Sequence, residues 1–190
     1  MLIKFKLETE AKRERKKYYK LKGSSILNDK EKIKMLSDWI DPNKKIKYEL
    51  IYKATKDGGT GKSFHSHCDN KGPTLTLINS TDGFIFGGYI SISWEGPQNW
   101  THKGDDDSAF IFSIDNEIKY PSRDKSKVIY NHINFGPDFG YNDIYLCENF
   151  LKENKNQCNC YSFYKASREK MSGNRFFQVK ELEVYSVQIE

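Results

Sequence analysis

The spacing of apolar residues changes once along this chain, near residue 42. Before that point Ile33, Leu36 and Ile40 recur at i, i+3 and i+7, one face of a helix, and Trp39 widens the stripe. Asn28 is the candidate N-cap, with Glu31 three residues later in capping-box position, and Asp41-Pro42 stops the helix. After it the pattern alternates. The stretch "TLTLINSTDGFIFGGYISIS" holds two β-rich runs, 74–79 and 84–93, around the hairpin turn Ser80-Thr81-Asp82-Gly83. Gly87-Gly88 inside the second run predicts a bulge or a close backbone contact. Further strands are expected over 108–114, 144–150 and 176–188, the last with a parity slip between Val179 and Leu182. Alternation places Leu75, Leu77, Phe84, Phe86, Phe110, Phe112, Val184 and Val187 in the core. The fold class that follows is α+β and mainly antiparallel β: a two-sheet sandwich flanked by a few short helices.

Composition adds limits. The 190 residues suffice for one well-cored domain, and a 14% aromatic share favours strands. The chain has no run of about 18 apolar residues, so no helical membrane span is expected. Its start has no apolar stretch bounded by a cleavage site and does not read as a secretory signal. Charge is uneven. Residues 1–22 hold nine Lys/Arg and three Asp/Glu, a net of +6, while the remaining 22 basic and 23 acidic residues net −1. Residues 1–24 therefore read as a basic, polar leader or linker that solvent covers or an acidic surface attracts, and 25–190 as the domain. No aromatic stacking platform for single strands accompanies the basic run, so nucleic acid is not an expected partner.

The chemistry-bearing stretch is "DGGTGKSFHSHC", Asp57 to Cys68. Gly61-Lys62-Ser63 matches the end of a phosphate-binding loop, but Lys56 stands where that loop needs its first glycine. His65 and Cys68 share a helical face, yet Cys158-Asn159-Cys160 lacks the knuckle spacing that would complete a zinc site. Asp105-Asp106-Asp107 lacks the alternation of a calcium loop and reads as solvated. No Gly-x-Ser-x-Gly elbow occurs. The expectation is no metal, no cofactor and no catalytic residues, with Cys68 packed, Cys158 and Cys160 more exposed, and all four thiols reduced.

"ELIYKATKDGGTGKSFHSHCDNKGPTLTLINSTDGFIFGGYISISW", followed in order by "DDDSAFIFSI", "FGPDFG" and "FQVKELEVYSV", resembles the TLDc domain of the oxidation-resistance proteins across residues 25–190. The resemblance implies a sandwich of antiparallel sheets. It implies a non-enzymatic interaction module that binds and regulates the vacuolar proton-pumping ATPase, at its cytosolic sector or peripheral stalk, and that is associated with protection from oxidative stress. It implies a cytoplasmic location, peripheral on an endomembrane or within a large assembly. The matching motif residues are Gly72, Pro73, Phe86, Gly87, Gly88, Tyr89, Gly136, Pro137, Phe139 and Gly140, with Glu181 and Glu183 as candidate functional carboxylates on one strand face. Two rival readings stand beside it: a structural or scaffolding component of another large assembly, and a redox-reactive or weakly enzymatic protein using a cysteine.

Overall fold

A computed structural model describes residues 19–160 and 164–190. The basic run of residues 1–18 lies outside the described residues. The helix α1 spans Lys30–Ile40, with Ile33 and Leu36 turned inward. Its N-cap is Asp29 rather than Asn28: the Asp29 carboxylate accepts from the backbone N–H groups of Glu31 and Lys32. A carboxylate at this position also complements the positive end of the helix, which the neutral Asn28 side chain does less well.

Twelve strands follow: β1 Ile46–Lys53, β2 Thr74–Ser80, β3 Ile85–Ile90, β4 Thr101–Lys103, β5 Phe110–Ser113, β6 Ile118–Pro121, β7 Ile129–Asn131, β8 Asp138–Phe139, β9 Ile144–Tyr145, β10 Asn156–Gln157, β11 Phe176–Phe177 and β12 Val179–Ile189. Among the described residues three short α-helices intervene: α2 Ala54–Asp57, α3 Gly61–Cys68 and α4 Arg168–Met171. The strands form two antiparallel six-stranded sheets, ordered β1-β12-β2-β3-β5-β6 and β11-β10-β9-β8-β7-β4. The expected 80–83 hairpin is present, with Gly83 N–H bonded to Ser80 O at 3.0 Å.

Two expected strands come out differently. Over 144–150 only Ile144–Tyr145 pairs, because the chain turns again at 148–152. The 176–188 run divides between the two sheets as β11 and β12. The parity slip read there is a register shift between Val179 and Glu181 against β2.

The first sheet is buried on both faces. Its inner side packs Ile78, Phe86, Ile111, Leu182 and Val184 against Phe139, Ile144 and Phe177 of the second sheet. Its other side packs Leu75, Leu77, Phe110, Phe112 and Tyr185 under α1 and the segment Leu21–Leu27. Seven of the eight expected core residues are buried, and Phe84 is half-buried at the hairpin. Among the described residues, Trp100, Tyr130 and Phe176 on the outer face of the second sheet belong to neither core cluster, while Tyr145 packs against the first.

Gly88 decides how closely the sheets approach. A Cβ there would overlap the Phe139 ring, which meets Trp94 edge-on at 5.3 Å. The β2–β3 ladder runs through Gly87 and Gly88 without a bulge, so close contact is the reason for glycine at Gly88. Gly88→Ala is therefore expected to lower the unfolding free energy by about 1–3 kcal/mol, the usual cost of overpacking a tight core. Phe139→Leu in the same chain should recover part of that loss. Urea unfolding of the single and double variants checks both, and additive effects would show that the two residues do not meet.

Candidate interaction face

The two candidate carboxylates lie on one face of β12 and are both buried, Glu183 completely. Glu183 accepts from Ser24 Oγ at 2.6 Å, Ser25 N at 2.7 Å, Ser25 Oγ at 3.1 Å, Lys53 Nζ at 2.8 Å and Tyr185 OH at 2.8 Å. Glu181 accepts from Thr55 N at 3.0 Å and Thr55 Oγ1 at 2.5 Å, with Lys53 Nζ 3.9 Å away. Burial pushes the Glu183 carboxyl up, but Lys53, Ser24, Ser25 and Tyr185 outweigh it and hold the group below its ordinary range. These carboxylates bind the segment 24–25, the end of β1 and the start of α2 to β12. The described part of the basic leader thus lies on the body, with Leu21 2% exposed.

Within Asp57–Cys68 the side chains are also occupied structurally. α3 is capped by Thr60, whose hydroxyl accepts from Ser63 N. Buried His65 joins Asp69 Oδ1 through Nδ1 at 2.7 Å and the carbonyl of His132 through Nε2 at 3.1 Å, tying α3 to the segment after β7. Cys68 is fully buried and burial pushes its thiol well up, with Asp69 and Asp57 adding to the shift. Asp106, expected in a solvated loop, is buried and accepts from Ser91 and Ser108. Cys158 and Cys160 were expected to be reduced and more exposed than Cys68. They are buried, and their sulfurs pair with each other, because the loop after β10 turns both inward. Among the described residues no group of three metal-ligating side chains converges.

The motif residues sit at junctions of the fold. Gly72 and Pro73 lead into β2, and Pro73 O accepts from Val187 N. Phe86 and Tyr89 are buried on opposite faces of β3. A Cβ on Gly87 would collide with the carbonyl of Thr76. Gly136 N–H bonds to Leu146 O, Pro137 O accepts from Leu146 N, and Gly140 N–H bonds to Val128 O. These last three shape the tight β8–β9 corner of the second sheet.

The outer face of that sheet carries a row rich in aromatic side chains. Register sets His102 opposite Tyr130, and Ile129 opposite Phe139. One step along, Tyr130 lies beside Asp138, which is opposite Tyr145; Gln157 and then Phe176 complete the row. The rings stack across it: His102 on Tyr130 at 4.3 Å, Tyr130 on Trp100 at 4.6 Å, Trp100 on Phe135 at 4.7 Å and Phe135 against Tyr145 at 5.8 Å. Tyr141 leans on Tyr130 at 5.1 Å. An open cleft of about 360 Å³ between Phe135, Tyr145, Glu148, Lys155 and Phe176 continues the face. Among the described residues, three of the four exposed large apolar side chains, Trp100, Tyr141 and Phe176, stand here. Such concentration is what marks an interaction surface, since isolated exposed apolar groups are ordinary. Sequence reading missed this face because its strands are two or three residues long, too short to show a period. The available signal was the aromatic–polar mixture of "WTH", "YNHINF" and "YNDIY".

The TLDc domain model matches residues 21–188. Among curated proteins, the MTOR-associated protein MEAK7 of Gallus gallus is 32% identical over 100 residues, covering 53% of this chain and 18% of the relative. Its Mus musculus counterpart is 30% identical over 79 residues, 42% of this chain and 17% of the relative. The Xenopus laevis protein is 27% identical over 100 residues, 53% of this chain and 18% of the relative. The matched part of the chain spans less than a fifth of each of these relatives.

Replacing Glu183 by Gln should cost about 3 kcal/mol, the lower end for breaking a buried pair, because Lys53 keeps some access to water. The sign of the pH effect follows from the lowered carboxyl. The Glu183 contribution is complete above the ordinary glutamate value, about 4.3, and is lost as pH falls through the lower folded value. Urea unfolding at a series of pH values should show a shallower acid limb for Glu183→Gln than for the parent. Parallel limbs would mean that the network is not what acid dissolves.

Proposed function

The chain belongs to the TLDc domain family, and from that premise we propose that it is a non-enzymatic protein-interaction module that docks through the outer face of its second sheet. The observation that carries this reading is the row of rings that runs from His102 through Tyr130, Trp100 and Phe135 to Tyr145 on the outer face of the second sheet, with exposed Phe176 beyond it. Large rings with few rotatable bonds supply contact area at low ordering cost. The non-enzymatic part is supported by the occupation of the reactive groups. Glu181, Glu183, His65 and Asp106 are spent on backbone and side-chain partners. Burial pushes the Cys68 and Cys147 thiols up, away from the nucleophilic thiolate.

The partner is the vacuolar proton-pumping ATPase, at its cytosolic sector or peripheral stalk, with the domain acting in oxidative-stress protection from the cytoplasm or peripherally on an endomembrane. The family association supports this choice. No helix among the described residues is long and apolar enough to cross a membrane, which is compatible with peripheral attachment. A second reading is an mTOR-containing assembly, favoured by the name that the MEAK7 relatives carry.

Binding of the whole chain to the purified cytosolic sector of the proton-pumping ATPase, and separately to purified mTOR complex, tests both. Trp100→Ala with Tyr145→Ala should weaken the interaction at least about tenfold, the loss of one hot-spot contact of 1.4 kcal/mol or more. Binding only to the mTOR complex would favour the second reading. Equal binding by parent and double variant would remove the aromatic face from either.

A further inference from the structure

The aromatic row has one acidic member. Asp138 sits between Tyr130 and Tyr145 in the register, yet its side chain has no exposed surface. Its Oδ1 accepts from Asn142 N at 2.9 Å. Its Oδ2 has no hydrogen-bond partner among the described residues, and none of their ion pairs includes it. Burial pushes the carboxyl well above its ordinary range, and neighbouring Asp143 adds to the effect. A buried acceptor left unused costs about 1–3 kcal/mol, so its retention in a docking face calls for a reason.

We propose that the outer face of the second sheet docks a partner segment through an arginine, whose guanidinium enters beneath Tyr141, lies against the rings of Tyr130 and Tyr145, and pairs with Asp138. The proposal rests on the reading of this face as a docking surface and names the chemistry it selects. Charge complementarity identifies the occupant: a cation beside the unused oxygen favours the carboxylate over the neutral form that burial favours, the proton leaving to solvent as the pair forms. Arginine fits better than lysine. Its planar head is weakly hydrated, stacks on rings and presents two N–H groups to one carboxylate, whereas an ammonium holds its water more tightly. Tyr141 is the entry point. It is 50% exposed, leans on Tyr130 and lies in the corner between β8 and β9, at the rim of the row nearest Asp138 in the chain.

The test is selection of a phage-displayed random peptide library on the whole chain, followed by affinity measurement of the enriched peptides. Arginine should appear at one fixed position. Its replacement by citrulline, which keeps the shape and removes the charge, should weaken binding at least about thirtyfold, the lower end of what truncating a buried charge pair costs. Asp138→Asn should do the same while retaining the Asn142 contact, and thermal unfolding of the variant verifies that it is folded. Enriched peptides without arginine, or indifferent to citrulline and to Asp138→Asn, overturn the proposal. If those peptides still lose affinity for Trp100→Ala, the docking face stands and only the arginine falls. A library that yields no binder, or binders unaffected by Trp100→Ala, overturns both.

Discussion

A glutamate with no surface in water holds the layers of this domain in order. Glu183 lies on the helix-facing side of β12, and five donors from Ser24, Ser25, Lys53 and Tyr185 converge on its two oxygens. An unpaired charge there would be prohibitively costly, so the fold is stable only when the segment 24–25 and the end of β1 arrive together. Ser24 carries the order further, because its hydroxyl also accepts from the N–H groups of Ile26 and Leu27. Those two residues close the helix-side core with Leu21, Ile33 and Leu36. One buried ion thus explains why the helix-side face of the first sheet is covered.

The two sheets are held by different means. β12 pairs with β1 and β2 over most of its eleven residues, and backbone ladders supply the cohesion. In the second sheet the strands are two or three residues long, and side chains replace ladder bonds. Asn156 is the clearest case. It is fully buried, takes a bond from Cys147 N and gives bonds to the carbonyls of Phe150, Glu153 and Phe177. The Tyr164 hydroxyl does similar service for Val128 O. A sheet assembled this way needs inward-facing anchors at a few positions and leaves its outward positions free to carry rings.

What could be read from the chain follows this division. α1, the 74–90 hairpin and β12 were legible because each is long enough to display its period, and Gly87-Gly88 announced a close approach. Cys158 and Cys160 were misread from polar neighbours, since "KENKNQCNCYS" gives no hint that its loop folds both sulfurs inward. Asp106 was misread for the same reason: it lies among three aspartates, and only the position of Ser91 and Ser108 makes it a buried acceptor. The N-cap shifted by one residue because Asn28 and Asp29 are both capable caps and the choice between them depends on charge at the helix end. Aromatic stacking across short strands is non-local, and its trace along the chain is only the aromatic–polar mixture over 100–102, 130–135 and 141–145.

The motif "FGPDFG" joins the legible part to the illegible part. Gly88 has no side chain, and so the ring of Phe139 can enter between the sheets and pack on Trp94. Once Phe139 points inward, strand alternation sends Asp138 outward, with Gly136-Pro137 before it and Gly140 after it fixing the corner. The position of the carboxyl beneath the tyrosines is thus a consequence of core packing. A sequence that keeps Gly88 and Phe139 for stability presents residue 138 to the outer row whatever that residue is. One oxygen of the acid there serves the corner by accepting from Asn142 N, and the other is left without a hydrogen-bond partner among the described residues.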